Sequence, residues 1–99
     1  MSGYRVVLDK QAVKDFEELK RQGHESKVTS ISHQLETNPF EPLCEKLCGE
    51  YRGYYSRRVD RTDRIVYEIR EGVFEDGKGA VIISRMRAYY RRMFSFLML

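Results

Sequence analysis

The chain has 99 residues, of which 41% are hydrophobic and 33% are charged, which fits one globular domain with one modest core. Its two cysteines, Cys44 and Cys48, are too few for a disulfide scaffold and their spacing does not match a zinc-binding pair. We therefore expect reduced thiols, no metal site and no cofactor. The apolar segment Met93–Leu99 is too short to cross a membrane and no signal peptide is visible, so a cytoplasmic protein is expected.

The charge is unevenly distributed along the chain. Residues 1–50 carry seven basic and nine acidic side chains, whereas residues 51–99 carry eleven basic and six acidic ones. Ten of those eleven cations are arginines. Arginine matches phosphate geometry and stacks on bases, so the second half is compatible with nucleic-acid binding, although a solvated basic surface would look the same.

The first half of the chain predicts a strand followed by two helices. Residues 4–8 read as a short strand, and Asp9 suits the N-cap of a helix that ends at Gly23. A second helix is predicted over residues 26–37, because apolar residues recur at helical spacing and Asn38-Pro39 would end it. The tight connection between the helices indicates an antiparallel helical hairpin.

The second half of the chain predicts β structure. Residues 40–53 read as a loop with one helical turn, and strands are predicted over 54–60, 64–70 and 79–90, with a glycine-rich loop before the last. The order β-α-α-β-β-β indicates an α+β domain. We expect a small, largely antiparallel, twisted sheet covered on one face by the helical hairpin.

Alternation along the predicted strands separates a core face from an open face. Ile65 begins the set that fits the core, whereas Arg58, Arg64, Arg87 and Tyr89 are predicted to gather on the open face. Charged and hydrogen-bonding side chains of this kind are poor core material. They would suit contacts with a phosphate backbone.

The central motif makes the chain similar to a known family. Residues 49–58 read Gly-Glu-Tyr-Arg-Gly-Tyr-Tyr-Ser-Arg-Arg and residues 63–67 read Asp-Arg-Ile-Val-Tyr. Together with Arg85-Met86-Arg87-Ala88-Tyr89-Tyr90, they resemble the YoeB (Txe) branch of the RelE toxin superfamily. The resemblance covers about residues 3–90 and implies one RelE-like toxin domain over residues 1–99, with 90–99 as an apolar C-terminal extension.

The resemblance implies a toxin that binds the ribosomal A site and cleaves mRNA there. The RNA's own 2′-hydroxyl would attack the adjacent phosphorus, which requires a base, cations for the pentavalent phosphate and an acid for the leaving oxygen. The implied partners are a cognate antitoxin protein, the ribosome and mRNA. A homodimer is left open, and no membrane partner is expected.

The resemblance also implies the position of the general base. The family uses a glutamate in the loop before the Ser-Arg-Arg strand, and counting back from Gly53 without a gap leads to Glu45. Glu41 begins a Glu-Pro-Leu sequence that matches the family's local motif, but it lies four residues before Glu45. We favour Glu45 over Glu41, and the alternative for Glu45 is a solvated loop carboxylate.

Several arginines match positions at which the family holds RNA. Arg64 matches the arginine that stabilises the reacting phosphate, and Arg58 and Arg57 would hold neighbouring phosphates. Arg85 and Arg87 would contact mRNA or ribosomal RNA. The alternative for Arg64 is a surface strand residue paired with a nearby carboxylate.

The chain departs from the family at the proposed general acid. Tyr89 occupies the position at which the family has a histidine, whereas Tyr90 matches the family's terminal tyrosine, which orients or stacks on a base. A tyrosine with a reference pKa near 10 is a less well matched donor at neutral pH than a histidine near 6.5. Slower cleavage or another donor is therefore expected.

Two other function classes compete with the ribonuclease. One is a binding protein on the same scaffold, either ParE-like or catalytically degenerate, which would not need Glu45, Arg58, Arg64 and Tyr90. The other is a general nucleic-acid-binding domain, for which Tyr54 and Tyr55 are the only hint. The apolar tail is predicted either to extend the core or to form a contact with a second copy or the antitoxin.

Overall fold

A computed structural model of the chain describes residues 3–40 and 44–86, which form two helices and five strands. The helices are α1 (Lys10–Arg21) and α2 (Glu25–Thr37). The strands are β1 (Tyr4–Leu8), β2 (Glu45–Lys46), β3 (Tyr54–Arg58), β4 (Arg64–Arg70) and β5 (Gly79–Arg85). The predicted α+β class and helical hairpin are confirmed, and the structure adds β2 within the segment that was predicted to be a loop.

The five strands form one sheet in the order β1-β5-β4-β3-β2. β1 pairs with β5 in parallel, and the other three pairings are antiparallel. β2 pairs only two residues at the edge of the sheet, which is too short for its alternation to be detected in the sequence. The predicted helical turn is present at Gly49–Tyr51, between β2 and β3.

Local sequence signals set the ends of the helical hairpin. The Asp9 carboxylate accepts a hydrogen bond from the Lys10 amide at 2.7 Å and caps α1. Gly23 adopts a φ of 86°, which lets the chain reverse into α2 without the strain that a side chain would add. The apolar faces of both helices pack on one face of the sheet. Their buried core residues are Ala12, Leu19, Val28, Ile31 and Leu35.

Tyr67 lies at the centre of this core. Its ring stacks on that of Tyr55 at a centroid distance of 5.8 Å, and its hydroxyl donates to the Pro39 carbonyl at 2.8 Å. Burial and the adjacent Cys44 raise the pKa of the Tyr67 hydroxyl. The hydrogen bond ties the end of α2 to the sheet and fixes the point from which the chain continues toward β2.

Two further observations concern the cysteines and the helices. Cys44 is buried, Cys48 is exposed, and the two thiols are not joined in a disulfide. Among residues 3–40 and 44–86, no helix is long and apolar enough to cross a bilayer.

Candidate active site

Four polar side chains lie together at one end of the sheet face that is opposite the helices. In the strand register, Ser56 of β3 pairs with Glu45 of β2 on one side and with Val66 of β4 on the other, and Arg58 pairs with Arg64. Directly paired residues of antiparallel strands project from the same face. The short strand β2 thus brings Glu45 onto the face that carries the two arginines.

The Arg64 guanidinium is the centre of this group. Its Nη1 atom donates to the Glu45 carboxylate at 2.6 Å and to the Ser56 hydroxyl at 3.3 Å. The side chain of Arg64 is 16% exposed and Ser56 is fully buried, whereas the side chain of Glu45 is 58% exposed. The guanidinium is therefore anchored against the sheet, and the carboxylate beside it is accessible from solvent.

The turn between β3 and β4 fixes the spacing of Arg58 and Arg64. The Asp60 carboxylate accepts hydrogen bonds from the amides of Thr62 and Asp63, at 2.9 and 2.7 Å. Partial burial alone would raise the pKa of Asp60, but these donors lower it below its usual range. The turn is thus held by an ionised carboxylate that accepts hydrogen bonds from the backbone amides of the turn.

Arg57 does not join this group. It pairs with Ile65, a core residue, so it projects toward the helices. Its Nη2 atom donates to the Gln34 side chain of α2. Its Nη1 atom is buried and has no hydrogen-bond partner in the part of the chain that the structure describes. The structure therefore places the two consecutive arginines, Arg57 and Arg58, on opposite faces of the sheet.

Arg85 also lies on the helical side. Its Nε atom donates to the Asp15 carboxylate of α1 at 2.9 Å. Asp15 is 3% exposed and also accepts from the Met86 amide at 2.9 Å. At this end of β5, its pairing with β4 shifts register between Val66 and Tyr67. Asp15 therefore binds both the side chain and the backbone at the end of the last described strand.

The remaining predicted site residues lie outside the described ranges. These residues are Arg87, Tyr89 and Tyr90, together with Glu41, the alternative base. Their predicted roles, and the predicted gathering of Arg87 and Tyr89 on the open face, stay predictions. In the described part of the sheet, the gathering comprises Glu45, Ser56, Arg58 and Arg64.

Asp15 is a residue that the sequence interpretation missed. It lies three residues after Ala12 and four before Leu19, so helical periodicity places it on the buried face of α1. An ionisable residue on an apolar helix face requires a partner. That position was the available signal, but only the fold identifies Arg85 and the Met86 amide as the partners.

The chemistry of the group is that of a carboxylate beside a guanidinium. A solvent-accessible carboxylate can accept a proton, and an anchored arginine can stabilise negative charge on a phosphate. Within residues 3–40 and 44–86, no three His, Cys, Asp or Glu side chains are grouped so that they could hold a metal ion.

Comparison with known proteins identifies the family. Residues 8–90 match the family model described as the YoeB-like toxin of bacterial type II toxin–antitoxin systems. The chain belongs to this family. The match includes every element from α1 to β5 and therefore the whole described site. A search of curated proteins found no match.

Solved structures have the same fold at low sequence identity. A YoeB/ParE toxin from Agrobacterium tumefaciens is 23% identical, with a TM-score of 0.72 over 84% of this chain and 95% of that chain. The YoeB dimer from Staphylococcus aureus is 22% identical, with a TM-score of 0.66 over 87% of this chain and 97% of that chain. A chain of the toxin–antitoxin complex RelBE2 from Mycobacterium tuberculosis is 22% identical, with a TM-score of 0.65 over 86% of this chain and 96% of that chain.

Proposed function

We propose that this toxin is an endoribonuclease that cleaves mRNA in the ribosomal A site. The observation that carries the proposal is the contact between Glu45 and Arg64, in which an accessible carboxylate and an anchored guanidinium share the open face. A base and a phosphate-stabilising cation are the two groups that in-line attack by a 2′-hydroxyl needs first. A protein that acted by binding alone would not need this pairing.

In the proposed reaction, Glu45 takes the proton of the 2′-hydroxyl as the oxygen attacks the adjacent phosphorus. The bond to the 5′-oxygen breaks, and the products are a 2′,3′-cyclic phosphate and a 5′-hydroxyl. Arg64 exchanges its contact with Glu45 for the phosphate and stabilises the added negative charge. Ser56 remains beneath the guanidinium and keeps it oriented.

The other predicted residues have separate proposed roles. Arg58 is exposed beside Arg64 and would hold a neighbouring phosphate. Arg57 and Arg85 engage Gln34 and Asp15, so contact with RNA would require these arginines to exchange partners. Three residues outside the described ranges keep the roles that the family pattern implies. They are Tyr89 as proton donor, Tyr90 as base-orienting residue and Arg87 as RNA contact.

The proposed setting is the bacterial cytoplasm, with a cognate antitoxin as the inhibitory partner. Structural neighbours include a toxin–antitoxin complex and a toxin dimer, which supports an antitoxin partner and makes a homodimer worth testing. Alignment on the ribosome would supply much of the rate through positioning. We therefore expect little cleavage of free RNA by the purified protein.

The proposal is tested with Glu45→Ala and Arg64→Ala. Each should abolish growth arrest on overexpression and lower mRNA cleavage on programmed ribosomes by on the order of 10²–10⁴-fold. Glu17→Ala is the matched control, because the side chain of Glu17 is 56% exposed and lies on α1, away from the open face. Circular dichroism melting of each variant checks that the fold is retained.

The same experiment tests the alternative of a non-enzymatic toxin. One structural neighbour is named a YoeB/ParE toxin, and Tyr89 replaces the family's histidine, so a ParE-like or degenerate binding protein is the second candidate. Full toxicity of both variants, without mRNA cleavage by the wild-type protein, would favour that candidate. Efficient cleavage of free RNA would instead favour a conventional ribonuclease.

A further inference from the structure

A small apolar cluster lies on the open face, separate from the main core. Leu47 and Val66 are buried, and the rings of Tyr51 and Tyr54 pack against them while remaining partly exposed. The two rings meet edge to face, with centroids 6.4 Å apart and planes at 76°. Aromatic surface is thus presented to solvent on the face that also carries the candidate site.

The cluster adjoins the Glu45–Arg64 contact. Tyr54 and Ser56 are two residues apart on β3, so they project from the same face about 7 Å apart along the strand. Ser56 lies beneath the Arg64 guanidinium. A nucleotide whose phosphate is held at Arg64 can therefore place a neighbouring base over Tyr54.

The two consecutive tyrosines differ in what they can contact. Tyr55 pairs with Tyr67 in the register and stacks on it within the main core, so its ring is committed to packing. Tyr54 pairs with Glu68 on the opposite face. Of the two tyrosines that suggest base stacking in the sequence, only Tyr54 lies on the face of the site.

A positive charge lies beside this aromatic surface. A cavity of about 220 Å³ at the β2 edge of the sheet is lined by Tyr54 and the exposed Arg52, and also by Lys46 and Tyr55, which pair with each other and project from the helical face. On the open face Tyr54 pairs with Glu68, whose carboxylate accepts a hydrogen bond from Arg70 at 3.0 Å. Aromatic rings beside cations are the means by which proteins bind single-stranded nucleic acid, because the rings stack on bases while the cations contact the backbone.

We propose that Tyr54, supported by Tyr51, forms a nucleobase-stacking subsite next to the scissile phosphate. This inference rests on the proposed function and adds to it the residues that bind the flanking base. Because stacking increases with the area of the ring system, a purine in the subsite should be bound more tightly than a pyrimidine. Tyr54 would then contribute to the choice of cleavage site.

The alternative is that the cluster only attaches β2 and the helical turn to the sheet. Tyr54→Leu separates the two roles, because leucine keeps apolar packing but removes the aromatic ring. Tyr54→Phe keeps the ring and serves as the conservative variant. Phe40→Leu is the matched control, since Phe40 is an exposed aromatic residue that contacts Tyr55 on the helical side.

The experiment measures binding separately from cleavage. A short single-stranded RNA that carries 2-aminopurine and 2′-O-methyl groups, which block cleavage, is titrated with the purified full chain. Quenching of 2-aminopurine reports stacking. Tyr54→Leu should weaken binding by on the order of 5- to 100-fold, whereas Tyr54→Phe and Phe40→Leu should stay within about twofold of wild type. An RNA made only of pyrimidines should compete with this probe less well than a purine-containing RNA of the same length.

A second readout does not depend on how well the variants fold. In the wild-type protein, aromatic NMR resonances of Tyr54 and Tyr51 should move upfield when the RNA is added, because a stacked base shields the ring protons. Unmoved resonances, or equal binding by Tyr54→Leu and Tyr54→Phe, would overturn the subsite.

Failure of the subsite and failure of the proposed function give different results. If the wild-type protein cleaves mRNA on ribosomes but RNA binding is independent of Tyr54, the subsite is refuted and the function stands. If binding depends on Tyr54 but no cleavage occurs, the subsite stands and the nuclease proposal fails. If the wild-type protein neither quenches the probe nor shifts the tyrosine resonances, the subsite is refuted whatever the cleavage result.

Discussion

Replacing Asp15 by alanine should be strongly destabilising, because its carboxylate connects α1 to the end of β5. Asp15 is 3% exposed and accepts hydrogen bonds from Arg85 Nε and the Met86 amide, both at 2.9 Å. A longer contact of 3.3 Å comes from Gln11 one turn earlier on the same helix. Alanine would remove all of these acceptors and leave the Met86 amide buried without this partner.

The expected cost follows from the burial of the partners. Removing one member of a buried ion pair typically costs about 3–5 kcal/mol. The Arg85 side chain is 22% exposed and can recover part of its hydration, so we expect about 2–4 kcal/mol for Asp15→Ala. For a domain of this size, that loss corresponds to a fall in melting temperature of roughly 10–25 °C.

The assay is urea unfolding, followed by circular dichroism, of the wild-type protein and matched variants. Glu17→Ala, on the same helix but with a side chain that is 56% exposed, should change the free energy of unfolding by less than about 0.5 kcal/mol. Asp15→Asn keeps an acceptor for the Met86 amide, so its loss of unfolding free energy should lie between those of Asp15→Ala and Glu17→Ala. Arg85→Met combined with Asp15→Ala should cost less than the sum of the single changes.

A loss of less than about 0.5 kcal/mol for Asp15→Ala would refute this reasoning, because it would mean that the carboxylate is not a buried acceptor in solution. If the losses of the two single variants simply add in the double variant, only the pairing of Asp15 with Arg85 is refuted. Either result would return Arg85 to the set of arginines available for RNA, whereas strong coupling would make its contact with Asp15 its main role.

The remaining predictions concern the core, the β3–β4 turn and the C-terminal residues. Tyr67→Phe should lower the free energy of unfolding by about 1–2 kcal/mol in urea titrations, because the Pro39 carbonyl loses its donor. Asp60→Asn should lower the free energy of unfolding by about 1–2 kcal/mol at neutral pH. Because folding lowers the pKa of Asp60, the stability difference between wild type and variant should be complete above about pH 4 and should disappear as the pH falls through the folded-state pKa. Unfolding curves recorded across this pH range check it. Tyr89→His should raise the rate of mRNA cleavage on programmed ribosomes near neutral pH, and an unchanged rate would mean that residue 89 does not donate the proton or that the donation is not limiting. Deleting residues 93–99 should lower the melting temperature at every protein concentration if the tail belongs to the core, or change the mass in light scattering or the antitoxin affinity if it is an interface.

The sequence by itself determined the class of the fold and most of its elements. Periodicity, the Asp9 cap and the glycine at position 23 were enough for the helical hairpin, since these signals act within a few residues of the chain. Alternation in β4 likewise identified the core set that begins at Ile65. The family resemblance, which the family model confirms, rested on residues 49–58 and 63–67 together with residues 85–90.

Only the tertiary structure decided which side chains meet. Strand β2 exists because two residues pair with β3, and that pairing alone brings Glu45 to Arg64 from 19 positions away in the chain. The same fold commits Arg85 to Asp15, which lies 70 positions away. Contacts of this kind depend on register and on burial of a charge by distant segments, so no local pattern encodes them.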